Sequence, residues 1–235
     1  MPDLAPDEQA PDLRAGTVTR VVQQKRDGAR VSVFIDEQFA FGLALDLAVE
    51  AGLRKGMALT VKAQEALLAK EQTHRARAAA LNYLSYQART AQEVRRKLRT
   101  KDFADDVVED AVAHLETYGY LDDEAYARAY ARGRFAGRGY GPQRLRMELR
   151  KRGVASETIE TVLDELEEAE DVGATAERHA RKRWQALARE TDPRKRMKKT
   201  IDFLVRRGFA YGLAREVVDV LAREEEDFDA AASEE

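Results

Sequence analysis

Three stretches of the chain, VRRKLRTKDFADDVVEDAVAHL (94–115), LRMELRKRGVASETIETVLDEL (145–166) and TIDFLVRRGFAYGLAREVVDVL (200–221), align without a gap. Recurrence at about 50 residues marks a supersecondary unit repeated in tandem. In each stretch a helix bearing Leu98, Leu149 or Leu204 runs into a turn at Asp102, Gly153 or Gly208. An apolar residue follows (Phe103, Val154 or Phe209), and then a second helix.

That second helix carries the i, i+3, i+4, i+7 stripe of a one-sided helix three times over. The stripes are Val108, Ala111, Val112, Leu115; Ile159, Val162, Leu163, Leu166; and Ala214, Val217, Val218, Leu221. The turn residue sits just beyond a helix end, where left-handed geometry is needed and glycine supplies it without strain. A further helix is predicted upstream of each pair, at Arg75–Tyr86, Glu124–Arg134 and Thr175–Leu187. The expected fold is therefore mainly α: an elongated array of three tandem three-helix repeats, at 73–121, 122–170 and 171–222.

Before the repeats, residues 16–72 read as a small β-element plus a short helix. GTVTRVVQQK, RVSVFID and FAFGLA have strand character, Asp27-Gly28 is a hairpin-turn pair, and Val31, Val33 and Ile35 share one face. DLAVEAGLRKG reads as a helix with Asp46 as its cap and Gly52 near its end. A β-hairpin or three-stranded element cannot stand alone, so it leans on that helix or on the body that follows. Residues 1–15 are expected to be a disordered leader, and 223–235 an acidic disordered tail.

With 44% hydrophobic residues in 235, the chain can build a sizeable core. It has no cysteine, which removes disulfides and thiolate metal sites and fits a reducing, cytoplasmic setting. No signal-peptide pattern opens it and no run of about 18 apolar residues occurs, so no membrane partner is expected.

The net charge of −3 conceals an alternation. Residues 75–101 hold eight Lys/Arg against Glu93 alone, and residues 102–124 hold nine acids and no base. Residues 125–156 hold nine bases against Glu148, and 157–171 hold eight acids and no base. Residues 172–207 hold twelve bases against four acids, and 208–235 two bases against nine acids. The first two helices of every repeat are basic and the third is acidic. Pairing between neighbouring helices explains part of this, at about 0–1 kcal/mol per exposed pair. Runs such as Arg150-Lys151-Arg152 and Arg206-Arg207 exceed what one helix end needs. A stripe of such residues suits a polymer partner.

No catalytic, cofactor or metal site is expected. Asp122-Asp123 fits a helix start, with Asp122 as N-cap, Asp123 and Glu124 in the first turn, and Leu121 packing on Tyr126. Gly137, Gly139 and Gly141 follow no strand and precede no Gly-Lys-Ser/Thr, so GRGYGP reads as a helix connection with Pro142 in the next first turn. Asp192-Pro193 repeats that start signal. His74, His114 and His179 lie far apart and in no ligand spacing. Tyr126 and Tyr130 share a helix face and are read as packing.

ALNYLSYQARTAQEVRRKL, YLDDEAYARAYARGRFAGRGYGPQRLRMELRKRGV and FLVRRGFAYGLAREVVDVL resemble the three successive repeats of the bacterial RecX regulators of RecA, over residues 75–221. The ordered combination YLDD, Arg-rich helix, GYGP and ELRKRGV carries the resemblance, and Asp102 stands where that family usually has the turn glycine. The resemblance implies a non-enzymatic protein, without cofactor, that binds RecA and the RecA–DNA filament. It also implies inhibition of the filament's ATPase, strand-exchange and co-protease activities in DNA repair and the SOS response. The candidate contacts to RecA or DNA are Arg128, Arg132, Arg134, Arg138, Arg144, Arg150, Lys151, Arg152, Arg206 and Arg207. Direct contact with single- or double-stranded DNA belongs to that picture. The alternative is a DNA- or RNA-binding helical-repeat protein that acts without RecA.

Overall fold

The structure is a computed structural model that describes residues 13–25 and 27–232. The expected disorder of 1–12 and 233–235 lies outside the described residues. The N-terminal sheet has four strands where sequence predicts two or three: β1 (Gly16–Gln23), β2 (Arg30–Ile35), β3 (Gln38–Ala44) and β4 (Ala58–Leu59). They are antiparallel in the order β3-β2-β1-β4. The fourth strand is two residues long, too short to leave a period-2 signal.

Asp27-Gly28 lies in the turn of the β1–β2 hairpin, as expected, with Arg30 N donating to Asp27 O at 3.1 Å, but the positive-φ pair of the sheet is elsewhere. It falls at Asp36 (φ 47) and Glu37 (φ 67), joining β2 to β3, while in the β1–β2 turn Asp27 Oδ1 accepts from Ala29 N at 3.0 Å. Asp36 tolerates the turn because its carboxylate accepts from Thr17 N at 3.0 Å.

Helix α1 (Leu45–Glu50) follows β3 directly, so its N-cap is the last strand residue, Ala44, and Asp46 stands in the first turn. The expected Asp46 cap therefore fails by two positions. Gly52, at φ 61, does end the helix.

Helix α2 (Val61–Leu84) is capped by the Thr60 hydroxyl and is far longer than the helix expected from Arg75. Its first half lays Ala63, Leu67 and Leu68 on the sheet core. Further along, Ala76 and Ala80 are fully buried. Polar residues hold two of its buried positions, which breaks the apolar period on which the shorter reading rested. One is Glu71, 2% exposed, which takes Arg30 Nη1 at 2.6 Å and the Ala44 amide at 2.8 Å and so fastens the helix to two strands. A buried carboxylate held this way is tolerated because its charge is paired and its oxygens are hydrogen-bonded.

The remaining helices are α3 (Ala91–Arg99), α4 (Asp105–Thr117), α5 (Asp123–Arg138), α6 (Pro142–Lys151), α7 (Ser156–Ala169), α8 (Val172–Ala186), α9 (Pro193–Arg207) and α10 (Tyr211–Ala232). With α2 they make three three-helix repeats, as the alignment predicts. All twelve stripe residues on α4, α7 and α10 are buried, and Leu98, Leu149 and Leu204 are fully so. Asp102, Gly153 and Gly208 all adopt positive φ, at 62, 85 and 93°.

Helix α10 continues through Ala232, so residues 223–232 are helical where an unstructured acidic tail is expected. Glu224 and Glu225 explain this, because they pair with Arg181 and Arg196 and Glu225 also accepts from the Trp184 indole at 2.9 Å.

The described chain divides into two compact units. One consists of residues up to 87 together with 94–120, and the other of 88–93 together with residues from 121 on. In the second unit, repeat 2 packs around Phe135, Leu145, Leu149, Ile159 and Leu163, and repeat 3 around Trp184, Leu204, Phe209 and Val218. Val172 packs against both cores.

Two helix-end junctions recur within this unit. Gly141 N donates to Arg207 O at 2.8 Å and Gln143 N to Gly208 O at 3.0 Å, so the start of α6 satisfies the carbonyl end of α9. At the start of α3, Thr90 and Glu93 form a reciprocal capping box, and the Thr90 hydroxyl donates to Arg152 O at the end of α6, at 2.6 Å. Each junction sets the positive end of one helix dipole on the negative end of another.

The backbones meet so closely at the first junction that a β-carbon on Gly141 would lie 2.5 Å from the Gly208 carbonyl. Overpacking of this kind costs about 1–3 kcal/mol or more, so Gly141→Ala should destabilise the second unit by that amount in urea denaturation. Gly133→Ala, inside α5 with nothing within 4 Å of the added carbon, should instead stabilise by about 0.5–1 kcal/mol.

Candidate functional site

Much of the charge alternation is consumed inside the repeats. The acidic third helix of each repeat is paired with its basic partners: Arg95 with Glu109 at 2.8 Å, Arg146 with Glu160 at 2.6 Å, and Arg196 with Glu225 at 2.7 Å. Arg128, a candidate contact, belongs to this set. It forks onto Glu165 at 2.8 and 2.9 Å and also pairs with Glu124 one turn back, which holds the guanidinium firmly protonated and the Glu165 carboxyl below the usual carboxylate range.

Arg152 is likewise structural. It pairs with Glu93 at 2.8 Å and lies 4.8 Å from the Tyr130 ring centre. Tyr126 and Tyr130, half-buried and stacked at 6.0 Å, pack against the repeat 2 core as expected of packing residues. Arg134 covers Tyr130 from 5.1 Å.

The aspartate pair caps helices. Asp122 Oδ1 accepts from Ala125 N and Asp123 Oδ1 from Ala91 N, both at 2.8 Å, the second binding α5 to the start of α3. Adjacency in sequence shows only the first of these bonds.

Four of the other candidate cations gather. The α5–α6 connection, α8 and the end of α9 enclose a cleft of about 800 Å³ lined by Ala136, Gly137, Arg138, Gly139, Tyr140, Arg144, Arg178, His179, Phe203, Arg206 and Arg207. Five arginines face it and none of its lining residues is acidic. Gly139 (φ 60) makes the wall, since a β-carbon there would sit 1.8 Å from His179 Nε2. Arg207 is fixed by donation to the carbonyls of Arg138 and Gly139 and lies 4.9 Å from the Phe203 ring centre. Arg144 lies 3.8 Å over the Tyr140 ring and also donates to the Tyr140 hydroxyl at 3.1 Å and to Glu148 at 3.2 Å.

The field of the cleft is legible in its titrating groups. The hydrogen bond from Arg138, aided by the nearby Arg144 charge, draws the Tyr140 phenol below its ordinary value. Burial first, then Arg207, Arg178 and Lys182, push the His179 imidazole below its ordinary value, favouring the uncharged ring. Burial opposes ionisation of Glu148, but hydrogen bonds from Tyr130 and Arg144 outweigh it and hold that carboxyl low.

Of the ten candidate contacts, then, Arg138, Arg144, Arg206 and Arg207 come together in the cleft. Arg132, Arg150 and Lys151 are exposed outside it, and Arg128, Arg134 and Arg152 serve packing and pairing. Sequence reasoning missed Arg178, His179, Tyr140 and Phe203 as a group. The twelve-base block at 172–207 was the available signal for Arg178, whereas nothing in sequence places α8 beside GRGYGP.

These features define a tandem three-helix-repeat protein with a concentrated arginine cleft and a small N-terminal sheet. Residues 16–60 match the regulatory protein RecX N-terminal domain. Residues 76–115, 122–163 and 169–218 match the first, second and third three-helix domains of RecX. The chain belongs to the RecX family of regulatory proteins.

It is 34% identical over 203 residues to the regulatory protein RecX of Leuconostoc citreum, covering 86% of this chain and 75% of that one. It is 28% identical over 211 residues to that of Clostridium perfringens, covering 89% and 98%. A crystal structure of regulatory protein RecX superposes with a TM-score of 0.73 at 27% identity, covering 87% of this chain and 99% of the other. RecX from Lactobacillus salivarius superposes with 0.58 at 27% identity, covering 65% and 97%.

Arg152→Ala removes the cation paired with the nearly buried Glu93 carboxylate, leaving it the Thr90 amide, and should destabilise the second unit by about 1–3 kcal/mol in urea denaturation. Arg150→Ala, at an exposed position, should stay within about 0.5 kcal/mol.

Proposed function

We propose that this protein binds RecA and the RecA–DNA filament and lowers the filament's ATPase, strand-exchange and co-protease activities, without catalysis of its own. The observation that carries the reading is the match to all four RecX domains in order along the chain. The fate of the charges supports it. Once internal pairs are set aside, exposed cations remain at Arg132, Arg150, Lys151 and Arg206, and the arginine cleft lies in the same unit. The two aspartates that most resemble a reaction centre are occupied with backbone amides.

Titration into RecA on single-stranded DNA should suppress DNA-dependent ATP hydrolysis at substoichiometric ratios. No suppression at any ratio would overturn the reading. The double reversal of Arg150→Glu and Lys151→Glu should weaken filament binding while leaving the melting temperature nearly unchanged.

The cleft also favours a second reading, nucleic-acid binding independent of RecA. That reading requires firm binding to bare nucleic acid with a steep salt dependence, because each neutralised phosphate releases counterions. Filament binding that far exceeds bare-DNA binding at the same salt would exclude it.

A further inference from the structure

We propose that the cleft between α5–α6, α8 and α9 grips the phosphodiester backbone of a nucleic-acid strand, and that binding there takes up a proton on His179. Its role within a filament rests on the function proposed above, but its chemistry rests on the cleft alone.

The lining favours an acceptor-only ligand. Arginines supply only donors, and the carbonyls of Arg138 and Gly139 are already taken by Arg207. A peptide backbone brings one N–H for every carbonyl and no charge to match five guanidinium groups, whereas a phosphodiester chain presents acceptors and negative charge at every link. Arginine forks match phosphate oxygens in geometry as well as in sign.

The rings are not arranged as stacking platforms for bases. Arg144 covers Tyr140 at 3.8 Å, and Phe203 has Arg207 at 4.9 Å and Arg183 at 5.7 Å. Recognition should therefore be of backbone and indifferent to sequence. Arg178 and Arg206, both exposed, remain to receive the ligand, although Arg178 also reaches the Thr175 hydroxyl at 3.2 Å.

The proton follows from His179's surroundings. Arg178 and Lys182 on its own helix, Arg207 and Arg206 on α9, and Arg138, Arg144 and the Tyr140 hydroxyl on the facing connection and helix are the charged and titratable groups around it. With the cleft empty, burial of the ring first and these charges second disfavour a positive charge on it. A phosphate placed among them reverses the local field and raises the imidazole's affinity for a proton. Since binding raises this pKa, lower pH must strengthen binding.

The test uses the full chain and a fluorescein-labelled oligothymidylate read by anisotropy. Arg178→Glu with Arg206→Glu should cost tenfold or more in affinity and flatten the salt slope by about 0.7 for each phosphate no longer neutralised. Arg189→Glu with Arg194→Glu, an equal charge change at exposed positions outside the cleft, should cost clearly less. Oligodeoxyadenylate should bind as well as oligothymidylate. Wild-type affinity should rise as pH falls from about 8 to about 6, His179→Gln should abolish that rise, and the His179 ring resonances should titrate at higher pH with the oligonucleotide bound.

Equal losses in the two double variants would overturn the site, and a pH response that survives His179→Gln would overturn the proton uptake. Oligonucleotide binding unchanged by the cleft reversal, with RecA ATPase still suppressed by the wild type, would sink this inference and leave the proposed function standing. The converse result would do the reverse.

Discussion

Helix ends carry carbonyls and amides with no partner inside the helix, and in the second unit those ends satisfy one another. The start of α6 donates to the last carbonyls of α9, and Thr90, at the start of α3, donates to the last carbonyl of α6. Such bonds form only if two backbones can touch, which is why glycine stands on both sides of one junction, at 141 and 208. A β-carbon on Gly208 would itself lie 2.3 Å from Arg144 N. The same contact that joins repeat 2 to repeat 3 brings the GRGYG connection against α8, and the basic cleft is the space left between them. Scaffold and candidate site are thus products of one packing constraint.

The alternating charge has two uses, separable by geometry. Arg95–Glu109 and Arg146–Glu160 occupy equivalent places in the first two repeats, binding the middle helix to the acidic third. These exposed or half-exposed pairs are individually worth about 0–1 kcal/mol and mainly fix which helices adjoin. Arginines without a carboxylate partner among the described residues, as at 138, 178, 206 and 207, instead line one cleft, where Arg207 is held by backbone carbonyls and the Phe203 face and Arg138 and Arg178 by hydroxyls. Like charges kept this close form a surface prepared for an anion.

The N-terminal sheet is stabilised by a different device. Its hydrophobic face is covered by α2, and Glu71 ties that helix to β2 and to the end of β3 through one paired, buried carboxylate. Because α2 is one helix from Val61 to Leu84, the sheet and the first repeat share a rigid element.

Local chemistry in the chain by itself determined the three repeats. The apolar stripes, the left-handed turn residues at 102, 153 and 208, the Asp122 cap and the Pro142 start depend on neighbours within about seven positions, and helix periodicity makes such neighbours visible. Strand count, the positive-φ turn at Asp36-Glu37, the length of α2 and the helical course of residues 223–232 were hidden, because each relies on a partner distant in sequence: β1 for β4, Thr17 for Asp36, the sheet for Glu71, Arg181 and Arg196 for the terminal glutamates. The basic candidates were legible as residues but not as a site. Only the tertiary structure decided that Arg128 and Arg152 are bound to carboxylates while Arg178 and His179 join Arg138 and Arg207, since a charge's availability depends on what packing sets beside it.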